Sequence, residues 1–318
     1  MQCALLAIHY FRGNSVHKIT TLDDNWMGRP RSIGTALLES DSHRAIVDPG
    51  PGSTLETLKK ELRARGVSPS GLDAILLTHI HLDHAGATGA LVKENPGLAV
   101  YIHKLGAPHM MDPSKLLASA ARLWPDNLQQ LFGNAVPVPA ENLRILEGGE
   151  TIELGSWKIE VAYTPGHASH HVSYFEAAEG VAFVGDTTGI RIEGHSFVMP
   201  ATPPPDIDLK IWDTSLAAIL ERKPKRLFLT HFGFSENPAA HVAQFRERLH
   251  HWMEMTERIL ETCKDDAQAM ESFMTSARAE IAQHLPTEDV EQYVQTAGLN
   301  LSFLGLARHA RKRAKAAS

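Results

Sequence analysis

Residues 76–86 read LLTHIHLDHAG. An apolar run, 74–78 (AILLT), leads straight into three histidines and an aspartate within six positions: His79, His81, Asp83 and His84. A short continuous apolar run suits a strand buried on both faces. A strand that ends there aims alternate side chains past the sheet edge, so His79 and His81, two apart, point to one side. Imidazoles and a carboxylate crowded this closely are reconciled by a cation that keeps the rings neutral and the carboxylate ionised. Nitrogen and oxygen donors with no thiolate suit zinc, iron or manganese.

The same grammar recurs along the chain. In YTPGHASHH, His167 follows a strand and stands beside Gly166; in VAFVGDTTG, Asp186 closes an apolar strand; in RLFLTHFG, His231 closes another. A metal-capable side chain at the mouths of four strands is what a site built on a rigid sheet edge needs.

As an ordered set, DPGPG (48–52), THIHLDH (78–84), TPGHASHH (164–171), GDT (185–187) and THFG (230–233) resemble the metallo-β-lactamase superfamily over residues 3–235. The resemblance implies an α/β (α+β) fold, the four-layer αββα sandwich, here with a C-terminal helical extension. It also implies a two-metal site. One metal would take His79, His81 and His167, the other Asp83, His84 and His231, and Asp186 would bridge them. Asp48 would orient a ligand from behind, and His171 matches the second histidine of the family's GHTxGH pattern, also behind the site. A hydroxide shared by the cations would attack a carbonyl or phosphorus centre, with Asp83 moving the proton.

The bridging aspartate resembles the glyoxalase II, lactonase and ribonuclease Z branches, not the antibiotic-hydrolysing ones. Where acyl-homoserine lactonases carry a tyrosine, three residues after that aspartate, this chain has Gly189. The expected reaction is hydrolysis of a small ester, lactone, thioester or amide; the alternatives are phosphodiester or phosphotriester hydrolysis and, further off, a di-iron redox module.

Composition bounds the partners. The 318 residues are 43% hydrophobic and 21% charged, with a formal net charge of -6, which argues against a nucleic-acid partner held through phosphates. No stretch is apolar for long enough to span a bilayer, and the N-terminus lacks a basic signal-peptide start, so a cytoplasmic protein with a small-molecule substrate is expected. Cys3 and Cys263 are too far apart in sequence to suggest a disulfide framework and read as apolar fillers.

Strands are expected at 3–10, 33–39, 43–47, 74–78, 98–102, 143–146, 151–154, 157–163, 171–176, 181–184 and 226–230, with helices at 53–65, 86–94 and 206–222. Residues 104–141 mix helical patches with prolines and read as an insertion near the site. From residue 238 the strand signals stop, and 238–318 reads as a helical region after a 1–237 catalytic domain, either capping the site or forming a homodimer interface. Trp26, Met27, Trp124, Phe232 and Phe234 are expected to wall the substrate pocket. His170 reads as exposed and His195 as an ordinary loop residue.

Overall fold

The computed structural model describes residues 17–317 apart from positions 41 and 193. The strand expected at 3–10 and Cys3 lie outside the described residues.

Two six-stranded sheets stack face to face. The first runs β1 (Lys18–Asp23), β2 (Gly34–Glu39), β3 (Arg44–Val47), β4 (Ala74–Leu76), β5 (Ala99–His103) and β6 (Leu143–Leu146) in spatial order. The second runs β12 (Gly233–Ser235), β11 (Arg226–Leu229), β10 (Val181–Phe183), β9 (Val172–Glu176), β8 (Trp157–Tyr163) and β7 (Thr151–Leu154). Strand alternation sorts the core into layers. Ala36, Leu38, Ala74 and Leu76 face inward and meet Ile159, Val161, Phe183 and Phe228 of the other sheet. Leu37, Ile46 and Ile75 face outward and are covered by α1 (Leu55–Arg63), through Leu58 and Leu62, and by α3 (Thr88–Glu94), through Leu91; the short α2 (Leu82–Ala85) precedes α3.

The outer face of the second sheet is covered by α7 (Leu209–Glu221), α8 (Pro238–Thr262), α9 (Asp266–His284), α10 (Thr287–Ala297) and α11 (Leu299–Ala317). One continuous apolar cluster joins Phe175, Ala182 and Leu227 of that sheet to Trp212, Phe245, Trp252, Phe273 and Phe303 of the helices, with half-buried Cys263 packed at its edge. The α8 start is written in the sequence: Pro238 occupies the first turn and the Asn237 side chain accepts from Ala240 N at 3.2 Å. Residues 104–141 supply α4 (Ala107–Met111), α5 (Ser114–Leu123) and α6 (Leu128–Phe132). This is the four-layer αββα sandwich expected from the sequence.

Topology gathers the chemistry at one rim. β3 and β4 run parallel, as do β10 and β11, and β8 runs in the same direction as β10 because β9, between them, is antiparallel to both. The C-terminal ends of β3, β4, β8, β10 and β11 therefore open on the same edge. Two hydrogen bonds tie the sheets together there, Val172 N to Thr78 O (2.8 Å) and Gly34 N to Thr230 O (2.8 Å).

Two strands went unread in the sequence. KITTLD (18–23) buries only Leu22 and is held mainly by pairing with β2, and β12 is three residues starting at a glycine. Neither carries the apolar run that identifies a strand.

Candidate metal centre

The loops after the five rim strands bring Asp48, His79, His81, Asp83, His84, His167, Asp186 and His231 together. Three groups within this cluster have ligand atoms mutually within 4.8 Å: His79, His81 and His167; His79, His84 and Asp186; Asp83, His84 and His231. His81 Nδ1 lies 3.0 Å from both His79 Nε2 and His167 Nε2. On the other side, His231 Nε2 is 3.4 Å from Asp83 Oδ2, and His84 Nε2 is 3.9 Å from the same oxygen. Asp186 lies between, with Oδ2 3.5 Å from His167 Nε2 and Oδ1 3.3 Å from His84 Nε2 and 3.7 Å from His231 Nε2.

Four of the five rings are aimed by what their other nitrogen touches. His167 Nδ1 donates to Ala201 O (2.9 Å), His231 Nδ1 to Ser32 O (2.8 Å) and His84 Nδ1 to Asp48 Oδ2 (2.9 Å), while His79 Nδ1 sits 3.1 Å from Thr78 Oγ1. The four Nε2 atoms are thereby turned into the cluster. Asp48 is the hub behind it. Its carboxylate also accepts from Thr78 N (2.8 Å), Thr78 Oγ1 (2.7 Å) and Thr230 Oγ1 (2.9 Å), joining the ends of β3, β4 and β11. Its backbone sits at φ 49, a left-handed conformation that aspartate tolerates better than most side chains.

His171 is fully buried behind Asp186. Its Nε2 receives the Asp186 backbone N–H at 3.3 Å, and its Nδ1 lies 3.0 Å from Thr187 Oγ1 and 3.2 Å from Thr164 Oγ1. Gly185 is required beside it. At φ 46, a Cβ there would stand 2.5 Å from Thr78 Oγ1 and 2.6 Å from His171 Nε2.

The electrostatics divide the cluster. Burial holds the His79, His167 and His171 rings below the ordinary imidazole range, and burial with the charge of His167 lowers His81 to about 4. Of these, the neutral His79, His81 and His167 rings can offer a nitrogen lone pair to a cation. For Asp83, burial works upward but is outweighed by His84 and His231, which hold the carboxyl at about 2. Asp186 is likewise held well below the usual range, by His84, His231 and His167 against its burial. Conversely, Asp186, Asp83 and Asp48 outweigh burial and raise His84, and Asp186 and Asp83 do the same for His231. The second half is thus a buried site rich in negative charge, which favours a cation there.

A further sign is local. Asp186 Oδ1 and His84 Nε2 are both buried and neither makes a hydrogen bond of good geometry. Buried polar atoms left facing one another in this way fit a cation between them.

The cluster is the floor of a cavity of about 760 Å³. Trp26, Met27 and Trp124 line it, as does His170, which is half-buried and not exposed. Burial holds the His170 imidazole well below its ordinary range, and its ring stands 5.7 Å from that of His81. Phe232 and Phe234 do not line the cavity. The Phe232 ring lies against Gly34, and Phe234 packs edge-on to Phe228 between the sheets with Arg226 over its face. Immediately after His231 the chain turns through Phe232 into β12, which carries Phe234. His195 pairs with Asp289 at 3.0 Å outside the cavity. The sequence points to the 104–141 insertion and the C-terminal helices as segments near the site but does not single out Arg29, Lys115, Leu116, Ala120, Leu131, Val294 or Leu301, all of which line the cavity. They have no motif, because a wall is defined by where helices dock and not by local spacing.

The sequence profile of the metallo-beta-lactamase superfamily matches residues 29–231. This chain belongs to that superfamily. Among curated superfamily relatives, the metallo-beta-lactamase fold-containing protein ST1585 of Sulfurisphaera tokodaii is 33% identical over 166 residues, 51% of this chain and 61% of that protein. The hydroxyacylglutathione hydrolase of Aeromonas hydrophila is 30% identical over 151 residues, 48% of this chain and 44% of that enzyme. The chain spans about half the length of these relatives. The superfamily fold extends further than the sequence likeness. The structure of TTHA1429 from Thermus thermophilus superposes with a TM-score of 0.68 at 19% identity over 94% of each chain, and that of ST1585 with 0.63 at 20% identity over 92% of this chain and 98% of that one.

Proposed function

We propose that this chain is a metal-dependent hydrolase with two divalent transition cations, zinc foremost, at the rim cluster. His79, His81 and His167 hold one, Asp83, His84 and His231 the other, and Asp186 is shared. The observation that carries the reading is the posture of Asp186, which offers one carboxylate oxygen to each group of imidazoles, 3.5 Å from His167 and 3.3 Å from His84. The donor set of nitrogens and oxygens without thiolate fits such ions.

Bound there, the cations supply Lewis acidity, lowering the pKa of a water toward neutrality and polarising the substrate oxygen. The chain's own residues do the rest. Asp83, ionised and facing the cavity, takes the proton from the attacking water and returns it to the leaving group. Asp48 and His171 hold the His84 ring and the Asp186 backbone so that the donors need no rearrangement.

The substrate class that fits is a small ester, lactone or thioester. Relatives named hydroxyacylglutathione hydrolase support the thioester. The test is a panel of esters, lactones and thioesters assayed on purified protein before and after chelation and after zinc is restored. Turnover that disappears with chelator and returns with zinc is the expected result. Turnover indifferent to chelator, or none on any carbonyl substrate, would overturn the reading.

A further inference from the structure

The cavity is much larger than a reacting carbonyl needs, and its walls are mostly hydrocarbon. The N-terminal loop supplies Trp26, and α5, α6 and the turn joining them supply Leu116, Ala120, Trp124 and Leu131. Later parts of the chain supply Pro203, Pro204, Val294 and Leu301. Asp83, Asp186 and His231 of the metal cluster line the same cavity. Arg29 and Lys115 are the cations on the walls, with Asp206 and the uncharged polar side chains Asn127, Gln295 and Asn300 set among the hydrocarbon. Pockets of this size lined mainly by apolar side chains, with polar groups among them, take ligands that bury most of their surface.

The walls are tied to one another, so the slot is preformed. Trp26 Nε1 donates to Leu131 O at 2.7 Å, fixing the 23–30 loop to α6. Gln292 Nε2 donates to Pro30 O at 2.7 Å, fixing the same loop to α10. Thr202 Oγ1 donates to Ser302 O at 3.2 Å, and α11 presses so closely on the loop that carries Thr202, Pro203 and Pro204 that a Cβ at Gly305 would meet Thr202 O at 2.0 Å. These contacts run from the insertion, through the N-terminal loop, to the C-terminal helices. An apolar slot that stays open does not charge the ligand for its own ordering.

We propose that the substrate is an ester or thioester with a medium-to-long apolar acyl chain, the chain lying between the α5–α6 wall and the α10–α11 turn with its carbonyl at the cluster. The chemistry rests on the hydrolase reading above; the chain preference rests on the cavity. Water adds its oxygen to the acyl carbon, the acyl–oxygen or acyl–sulfur bond breaks, and one water proton leaves with the alcohol or thiol, giving the free acid.

Two arms test this separately. In the first, the metal-free full chain is titrated with butyrate, octanoate and decanoate while tryptophan fluorescence is followed, since Trp26 and Trp124 stand on the wall. Decanoate saturates the signal and binds at least about 100-fold more tightly than butyrate, given roughly fourfold per buried methylene. Equal or absent binding of the two acids overturns the inference. In the second arm, zinc-reconstituted protein is given acetyl, butyryl, octanoyl and decanoyl esters and thioesters of one leaving group. kcat/KM rises by about 100-fold from butyryl to decanoyl. A flat series with clear turnover overturns the chain preference and leaves the hydrolase standing. Tight decanoate binding with no turnover supports the slot and overturns the hydrolase. Ala120→Trp, which fills the slot, lowers the decanoyl-to-acetyl ratio at least about tenfold, and Leu116→Ala lowers it by about fivefold should the larger residue prevent folding. An unchanged ratio in folded Leu116→Ala counts against the proposal.

Discussion

Replacing Asp48 by alanine removes the hub behind the cluster. The carboxylate accepts four hydrogen bonds of 2.7–2.9 Å, from Thr78 N, Thr78 Oγ1, Thr230 Oγ1 and His84 Nδ1, and all five groups are buried. Each stranded donor costs about 1–3 kcal/mol, but the four share one acceptor and do not add. Breaking a buried network of this kind by removing one partner costs about 3–5 kcal/mol. In a chain of this length that lowers Tm by roughly 10 °C. Calorimetry on metal-stripped protein isolates this effect from metal binding. Thr230→Val, which loses one of the four bonds, serves as the graded control at about 1 kcal/mol. Because His84 loses the partner that aims its Nε2, zinc affinity of the alanine variant falls by about 10–100-fold, measured by competition with a chromophoric chelator. A metal-stripped Asp48→Ala protein that melts within a couple of degrees of wild type, and binds zinc as well, would refute the reasoning.

Three further outcomes are expected. Gly185→Ala places a Cβ 2.5 Å from Thr78 Oγ1 and 2.6 Å from His171 Nε2 at φ 46, so it destabilises by about 2–4 kcal/mol in denaturant melts. His241, buried on α8 with Nε2 2.9 Å from Thr188 O and Nδ1 3.1 Å from Ser235 Oγ, is held by its burial at about 4, below the ordinary 6.5. The unfolded chain therefore takes up a proton below pH 6.5 that the folded chain refuses, so stability falls as pH drops from 6.5 towards 4. The wild-type-minus-His241→Gln difference in unfolding free energy shifts over that window by up to about 3 kcal/mol; a flat difference contradicts the assignment. Chelation lowers Tm, and adding zinc at about 100 times its Kd restores about 2.7 kcal/mol, seen as a concentration-dependent Tm. A Tm that ignores both would contradict the assignment.

Apolar runs that end in a histidine or aspartate make the working rim legible in the sequence, whereas the double sheet is implied by the resemblance of the ordered motifs to the metallo-β-lactamase superfamily. The rim is legible because it depends on local pattern: the strand end sets where His79, Asp186 and His231 emerge. β1 escaped notice because pairing with β2, not burial of its own side chains, holds it. His170 reads as exposed in the sequence, yet it is half-buried against the cavity, whose lining also comes from the insertion and from Pro203, Pro204 and Pro205 in distant parts of the chain. Phe232 and Phe234 were misjudged as walls for the converse reason. A phenylalanine next to a site residue suggests a wall, but the Phe232 ring lies against Gly34 and the Phe234 ring against Phe228. The helical region after residue 238 reads clearly as amphipathic. Only docking reveals that residues 294–301 help wall the cavity.

The most direct test of the central claim is the metal content of the full chain, by mass spectrometry after zinc reconstitution and desalting, read beside that of Asp186→Ala. The account predicts two zinc ions per wild-type chain and a marked loss in the variant, which removes the oxygens offered to both groups of imidazoles. Wild-type protein that retains no transition metal, or a variant that retains both ions, would contradict it.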